Sequence, residues 1–121
     1  MRDDADLNGG SLAKLVRSVG VLALPYPSQQ AWLVGVWDIA GVAPIDELAT
    51  EFGDSAELAD QFLEAKWILP TALEKVKVLD AYLDERSGTE DSDFWTYEAL
   101  RDHPGWEHIR KLALDVLIEL D

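Results

Sequence analysis

The chain of 121 residues has no cysteine. This excludes a disulfide framework and any thiolate metal site, and it fits a reducing compartment. A long hydrophobic run is also missing. The longest, "AWLVGVW" at 31–37, falls far short of the roughly 20 apolar residues that a membrane span requires. The N-terminal "MRDDADLNGGSLAK" has no basic region leading into an apolar stretch, so it does not read as a secretory signal. The expectation is a soluble, cytoplasmic protein with no membrane partner.

Phosphate-binding loops are missing too. Apart from Gly9-Gly10 the glycines are scattered singly, and neither G-x-x-x-x-G-K nor G-x-G-x-x-G occurs. There are two histidines, His103 and His108, and neither stands in a recognisable nucleophile setting. His103 precedes Pro104 and reads as a turn residue, while His108 lies beside Arg110 and Lys111 on the outer half of a helix. Asp46, Glu47 and Glu51 bring carboxylates together at helical spacing, and carboxylates suit hard cations. A di-iron bundle, however, needs Glu-x-x-His on two helices, and "DSAELADQFLE" lacks the spacing of a calcium loop. These absences point away from an enzyme and imply no cofactor and no metal.

Basic residues are scarce. Ten Lys plus Arg face 24 Asp plus Glu, a formal net charge of −14. From Ser18 to Ala65 there is no Lys or Arg at all. Such a charge repels nucleic acid and anionic membranes, where neutralisation of phosphate by Lys and Arg supplies most of the affinity. It favours rapid capture of a cationic protein. The rival explanation is that the acidity only keeps the chain soluble.

What is present describes a globular domain. Apolar residues make up 48% and charged residues 28%, unlike a disordered acidic tail. The length suits one domain, with residues 1–10 as a flexible tail and 11–121 as the folded unit. Ser11 looks like the cap of a first helix that turns Leu12, Leu15, Val16 and Val19 inward. Pro25 and Pro27 interrupt the chain, and Ser28 can cap a second helix over "QQAWLVGVWDIAG", apolar nearly all round and hence buried. A hairpin of 19–24 with 31–39 competes with that helix, because a short apolar run has no decisive period.

Pro44 then opens a helix over "PIDELATEF" that Gly53 stops, and Ser55 caps the next, "SAELADQFLEAKWI". In that second segment Leu58, Phe62 and Ala65 are expected inward, with Glu57, Asp60, Gln61 and Glu64 outward. Thr71 caps a helix with Leu73, Val76, Leu79, Tyr82 and Leu83 inside and Gly88 at its end. Asp93 caps a short helix, "FWTYEALRD", that Pro104 closes. Trp106, Ile109, Leu112, Ala113, Val116, Leu117 and Leu120 mark the clearest helix, the last. The expected fold is all-α, a single-domain bundle of six or seven helices.

The acidic stretch carries the functional expectation. Asp46, Glu47, Glu51, Asp54, Glu57, Asp60 and Glu64 accumulate before Lys66. Like charges three and four apart on a helix repel by about a few tenths of a kcal/mol each, so function is one reason to keep them. Among Trp32, Trp37, Trp67, Trp95 and Trp106, spacing against aliphatic residues favours packing. Trp95 is the exception, because "EDSDFWTYEAL" joins Asp91 and Asp93 to three aromatics, the mixture of a binding hot spot. The expected partner-binding residues are therefore these acidic groups with Trp95.

"DELATEF" and "SGTEDSDFWTYEALRDHPGWEHIRKLALDVLIEL", with its "W-x-x-I-R-x-L-A", resemble the small acidic helical immunity proteins that bacteria keep against secreted toxins. The resemblance spans residues 44–121. It implies a non-enzymatic cytoplasmic protein that masks the active site or substrate surface of a cationic, nuclease-type toxin domain. The alternative is an enzyme or small-molecule-binding bundle with an aromatic-lined interior.

Overall fold

The computed structural model describes residues 9–36, 45, 47–86 and 94–120. The fold is all-α. In chain order the helices are α1 (Gly9–Ala23), α2 (Tyr26–Val36), α3 (Glu47–Ala56), α4 (Ala59–Glu64), α5 (Pro70–Glu85), α6 (Tyr97–Asp102) and α7 (Pro104–Leu120). No strand occurs among the described residues. The hairpin alternative is thus overturned for 19–24 and 31–36, which are helical up to a bend at Leu24. Residues 37–41 of the expected second helix or hairpin, and Pro44, Gly88 and Asp93, to which helix ends or caps were assigned, lie outside the described residues, as do 1–8 of the expected tail.

α7 packs against both α1 and α5, α3 lies on α1 and α5, and α4 folds back on α5. The core between them holds Leu15, Val19, Leu22, Phe52, Phe62, Val76, Leu79, Trp106, Ile109, Ala113 and Val116. The stripe read for α7 is borne out. Trp106, Ile109, Ala113 and Val116 are buried, and Leu112, Leu117 and Leu120 pack partly against them. α5 behaves alike, with Val76, Leu79 and Leu83 buried and Leu73 and Tyr82 at the edge.

Several boundaries differ from expectation, each for a local reason. α1 starts at Gly9, ahead of the expected cap Ser11. Within it Val16 is exposed, because its inward place on the stripe belongs to Ser18, whose hydroxyl donates to Leu15 O at 2.9 Å. α2 starts at Tyr26, ahead of Ser28. Pro27 sits in its first turn, where a missing N–H costs nothing. Nor is α2 buried all round: Gln29 and Leu33 face the core while Val34 is exposed.

Gly53 does not stop α3. The helix runs on to Ala56 and carries Ser55 inside as a buried residue instead of a cap. Ala65 turns outward at the end of α4. Pro70, not Thr71, opens α5, following an extended Leu69. α6 starts at Tyr97 under Thr96, whose Oγ1 accepts from Ala99 N at 3.1 Å, so Phe94 and Trp95 form a separate 3-10 turn. His103 is the turn residue foreseen. It is extended, as a residue before proline tends to be, and its Nδ1 accepts from Gly105 N at 2.8 Å to cap α7.

Candidate functional site

α3 ends at Ala56, and a tight turn through Glu57 and Leu58 leads into α4. Phe52 and Phe62, on either side of that turn, are fully buried and pull the corner onto α5. The outward residues of the corner then face the outward residues of α5 across an open groove. Its lining includes Glu57 and Asp60 from the corner and Lys77, Asp80 and Asp84 from α5. Val76, Ala56 and Ala81 form its floor and edges.

Four carboxylates therefore meet one ammonium. Lys77 Nζ lies 3.2 Å from Asp60 Oδ1, and both side chains are well exposed, so the pair contributes at most about 1 kcal/mol. The run without Lys or Arg is thus partly compensated from outside itself, at Asp60. Asp80 has its carboxyl raised above the usual carboxylate range. Partial burial is the first cause, and the charges of Asp84 and Glu57 push it the same way. The remaining negative charge is thus concentrated enough for the protein's own groups to feel it.

Among the described residues the groove is lined by carboxylates, one ammonium and small or branched apolar side chains. Among the described residues no group of three or more His, Asp or Glu is arranged to hold a metal ion.

The expected binding residues divide accordingly. Glu57 and Asp60 line the groove, and Glu64 is exposed at the far end of α4. Glu47, Glu51 and Asp54 share one side of α3, with Asp54 exposed and the other two half-buried. Asp46, Asp91 and Asp93 lie outside the described residues. Trp95 is half-buried. Its Nε1 donates to Arg86 O at 2.9 Å, and its ring stands edge-on to Phe94 and Trp106.

The aromatic cluster around Trp95 fills its own space. Phe94 stacks on Trp106 at 4.8 Å between centroids, and Trp106 Nε1 donates to Phe94 O at 2.8 Å. Arg86 lies 5.1 Å from the centre of the Tyr82 ring and 5.3 Å from that of Phe94, and its Nη2 donates to the Tyr82 hydroxyl. The edge of the exposed His108 meets Tyr82 at 4.7 Å. Trp32 is also half-buried, but Trp67 departs from the packing expectation by remaining exposed. Trp37 lies outside the described residues.

Asp80 and Asp84 were missed by sequence reasoning, which followed one contiguous stretch. Their signal was available. Lys77, Asp80 and Asp84 recur at three and four residues along the flank of the stripe formed by Val76, Leu79 and Leu83. What the pattern omitted was the neighbour that this side would face.

Comparison with protein-family models, curated proteins and solved structures finds no match. No helix among the described residues is long and apolar enough to cross a membrane.

Proposed function

We propose that this chain is a non-enzymatic binding protein for a cationic protein. In its most specific form it is a cytoplasmic immunity protein that blocks a basic, nuclease-type toxin domain by covering its active site or substrate surface. The observation that carries the reading is the convergence of Glu57, Asp60, Asp80 and Asp84 on one groove, with Lys77 as the one base among the described residues that line it. The formal net charge of −14 supports it, because a field of one sign steers a partner of the other toward the surface. The resemblance of residues 44–121 to acidic immunity proteins supplies the toxin as the kind of partner. A purely solubilising surface has no need to gather carboxylates where Asp84 and Glu57 raise the proton affinity of Asp80.

The test takes a basic nuclease domain, should one be encoded directly beside the gene for this chain. The wild-type protein should suppress its nuclease activity. The double reversal Glu57→Lys with Asp84→Lys should slow association strongly at low salt, with the difference shrinking as salt rises. Rates indifferent to the reversal remove the groove from the interface. A metabolic operon around the gene, with no toxin domain, overturns the immunity form of the proposal.

A further inference from the structure

The groove between the α3–α4 corner and α5 already holds a cation, and it is the protein's own. Lys77 Nζ lies 3.2 Å from Asp60 Oδ1, and this is the one ion pair of Lys77 among the described residues. Lys77 thus pairs across to α4 instead of along its own helix with Asp80, one turn ahead. The lean of helical side chains toward the helix N-terminus favours that choice. Asp80 keeps a raised proton affinity, through partial burial first and then through Asp84 and Glu57.

The Lys77–Asp60 pair is suited to exchange. Its side chains are 61% and 63% exposed, so separating them returns both charges to water that they already touch. The ammonium ends a flexible four-carbon stem and can leave Asp60 while the helix stays in place. A base from a partner therefore meets Asp60 occupied by an equal. It exchanges one ammonium–carboxylate pair for another and gains little at that carboxylate. Its gain comes from the other carboxylates that line the groove, Glu57, Asp80 and Asp84.

We propose that Lys77 is a built-in stand-in for the partner's base, seated on Asp60 in the free protein and displaced when the partner enters the groove. This rests on the cationic-partner reading and adds how the groove is held before the partner arrives. The stand-in neutralises part of the acidic surface until then. It also turns away a cation that offers no more than one ammonium at Asp60. The rival account is that the pair only ties α4 to α5, and the two accounts differ in what binding does to the pair.

Labelled nona-lysine, followed by fluorescence anisotropy at low salt, tests the inference. Lys77→Gln should tighten its binding about two- to fivefold, the strength of one exposed pair. Lys75→Gln removes the same charge two residues away, on the opposite flank of α5 and outside the groove lining, so it should tighten binding less. Displacement also couples Lys77 to Asp60. The loss caused by Asp60→Asn should be about two- to fivefold larger in the Lys77→Gln background than in the wild type. Equal losses in the two backgrounds, or equal gains from Lys75→Gln and Lys77→Gln, overturn the stand-in while the cationic-partner reading stands. A large drop in the urea midpoint of Lys77→Gln also overturns it, by making the pair a structural tie. Nona-lysine that ignores Glu57→Gln with Asp84→Asn, or that fails to bind the wild-type protein, overturns the groove reading itself.

Discussion

Arg110 and Gln29, 81 residues apart in the chain, meet in the interior through two hydrogen bonds to one carboxamide oxygen. Arg110 Nε and Nη2 lie 3.1 and 2.9 Å from Gln29 Oε1. Nη2 also donates to Leu100 O in the last turn of α6, while Gln29 Nε2 donates to Val21 O and Leu22 O at the end of α1, each at 3.1 Å. Helix ends leave carbonyls without partners, and here two side chains satisfy the ends of two helices at once. Only 12% of the Arg110 side chain is exposed, and Glu107, at 3.4 Å, supplies a counter-charge at the surface.

Removing one member of that junction strands the others. Gln29→Leu should cost about 2–3 kcal/mol in urea unfolding, because the Arg110 guanidinium loses an acceptor and Leu22 O loses the Gln29 amide, while Val21 O keeps its bond from Leu24 N. The double variant with Arg110→Leu should cost less than the two singles added, by about 0.5–3 kcal/mol. Strict additivity would mean that the two side chains act separately.

Two glycines should respond in opposite directions to the same change. A Cβ on Gly105 would stand 2.9 Å from Phe94 Cε1 and 3.0 Å from His103 Nδ1, inside the aromatic cluster. Gly105→Ala should therefore destabilise by about 1–3 kcal/mol through overpacking. Gly53 lies within α3 and has nothing within 4 Å of such a Cβ, so Gly53→Ala should stabilise by about 0.5–1 kcal/mol. Thermal melts of the two variants shifting the same way would refute the account of Gly105.

Both glycines show what the sequence could and could not reveal. Periodicity made α5 and α7 legible, since each hides a long apolar stripe against neighbours on one side. Gly53 misled because a glycine inside a helix and one that ends it look alike without the packing that keeps α3 going. Arg110 entered the reading only as a residue beside His108, because nothing local reports that Gln29 waits inside for it. The groove was half legible for a similar reason. Glu57 and Asp60 stood out in a run without bases, but Asp80 and Asp84 join them only through the fold of α4 onto α5.

Ser55 offers a stabilising change at the same corner. It is buried on α3, and its hydroxyl finds no hydrogen-bond partner among the described residues. A buried hydroxyl that gives up water without a replacement costs roughly 1–3 kcal/mol. Ser55→Ala should raise stability by about 1 kcal/mol, helped by the better helix propensity of alanine. Chemical denaturation checks this, and a loss of stability would reveal a bond to Ser55 that the substitution breaks.

Asp80 should make both stability and binding depend on pH. Partial burial first, then Asp84 and Glu57, raise its pKa above the ordinary value of 3.8. The folded protein thus holds this proton more tightly than the unfolded chain does. The resulting penalty is absent well below 3.8, grows as pH rises through the raised folded value, and is complete at neutral pH. Asp80→Asn removes the ionising group, so it should stabilise the protein at neutral pH. That gain should fade as the medium is acidified toward 3.8, where wild-type Asp80 is protonated as well. A cationic partner in the groove reverses the local field and drives the proton off, so its binding should strengthen with rising pH across the same window. Urea unfolding and nona-lysine affinity, each measured for both proteins from neutral to acid pH, test the two halves. An advantage of the variant that is independent of pH would show that the strain at Asp80 is not electrostatic.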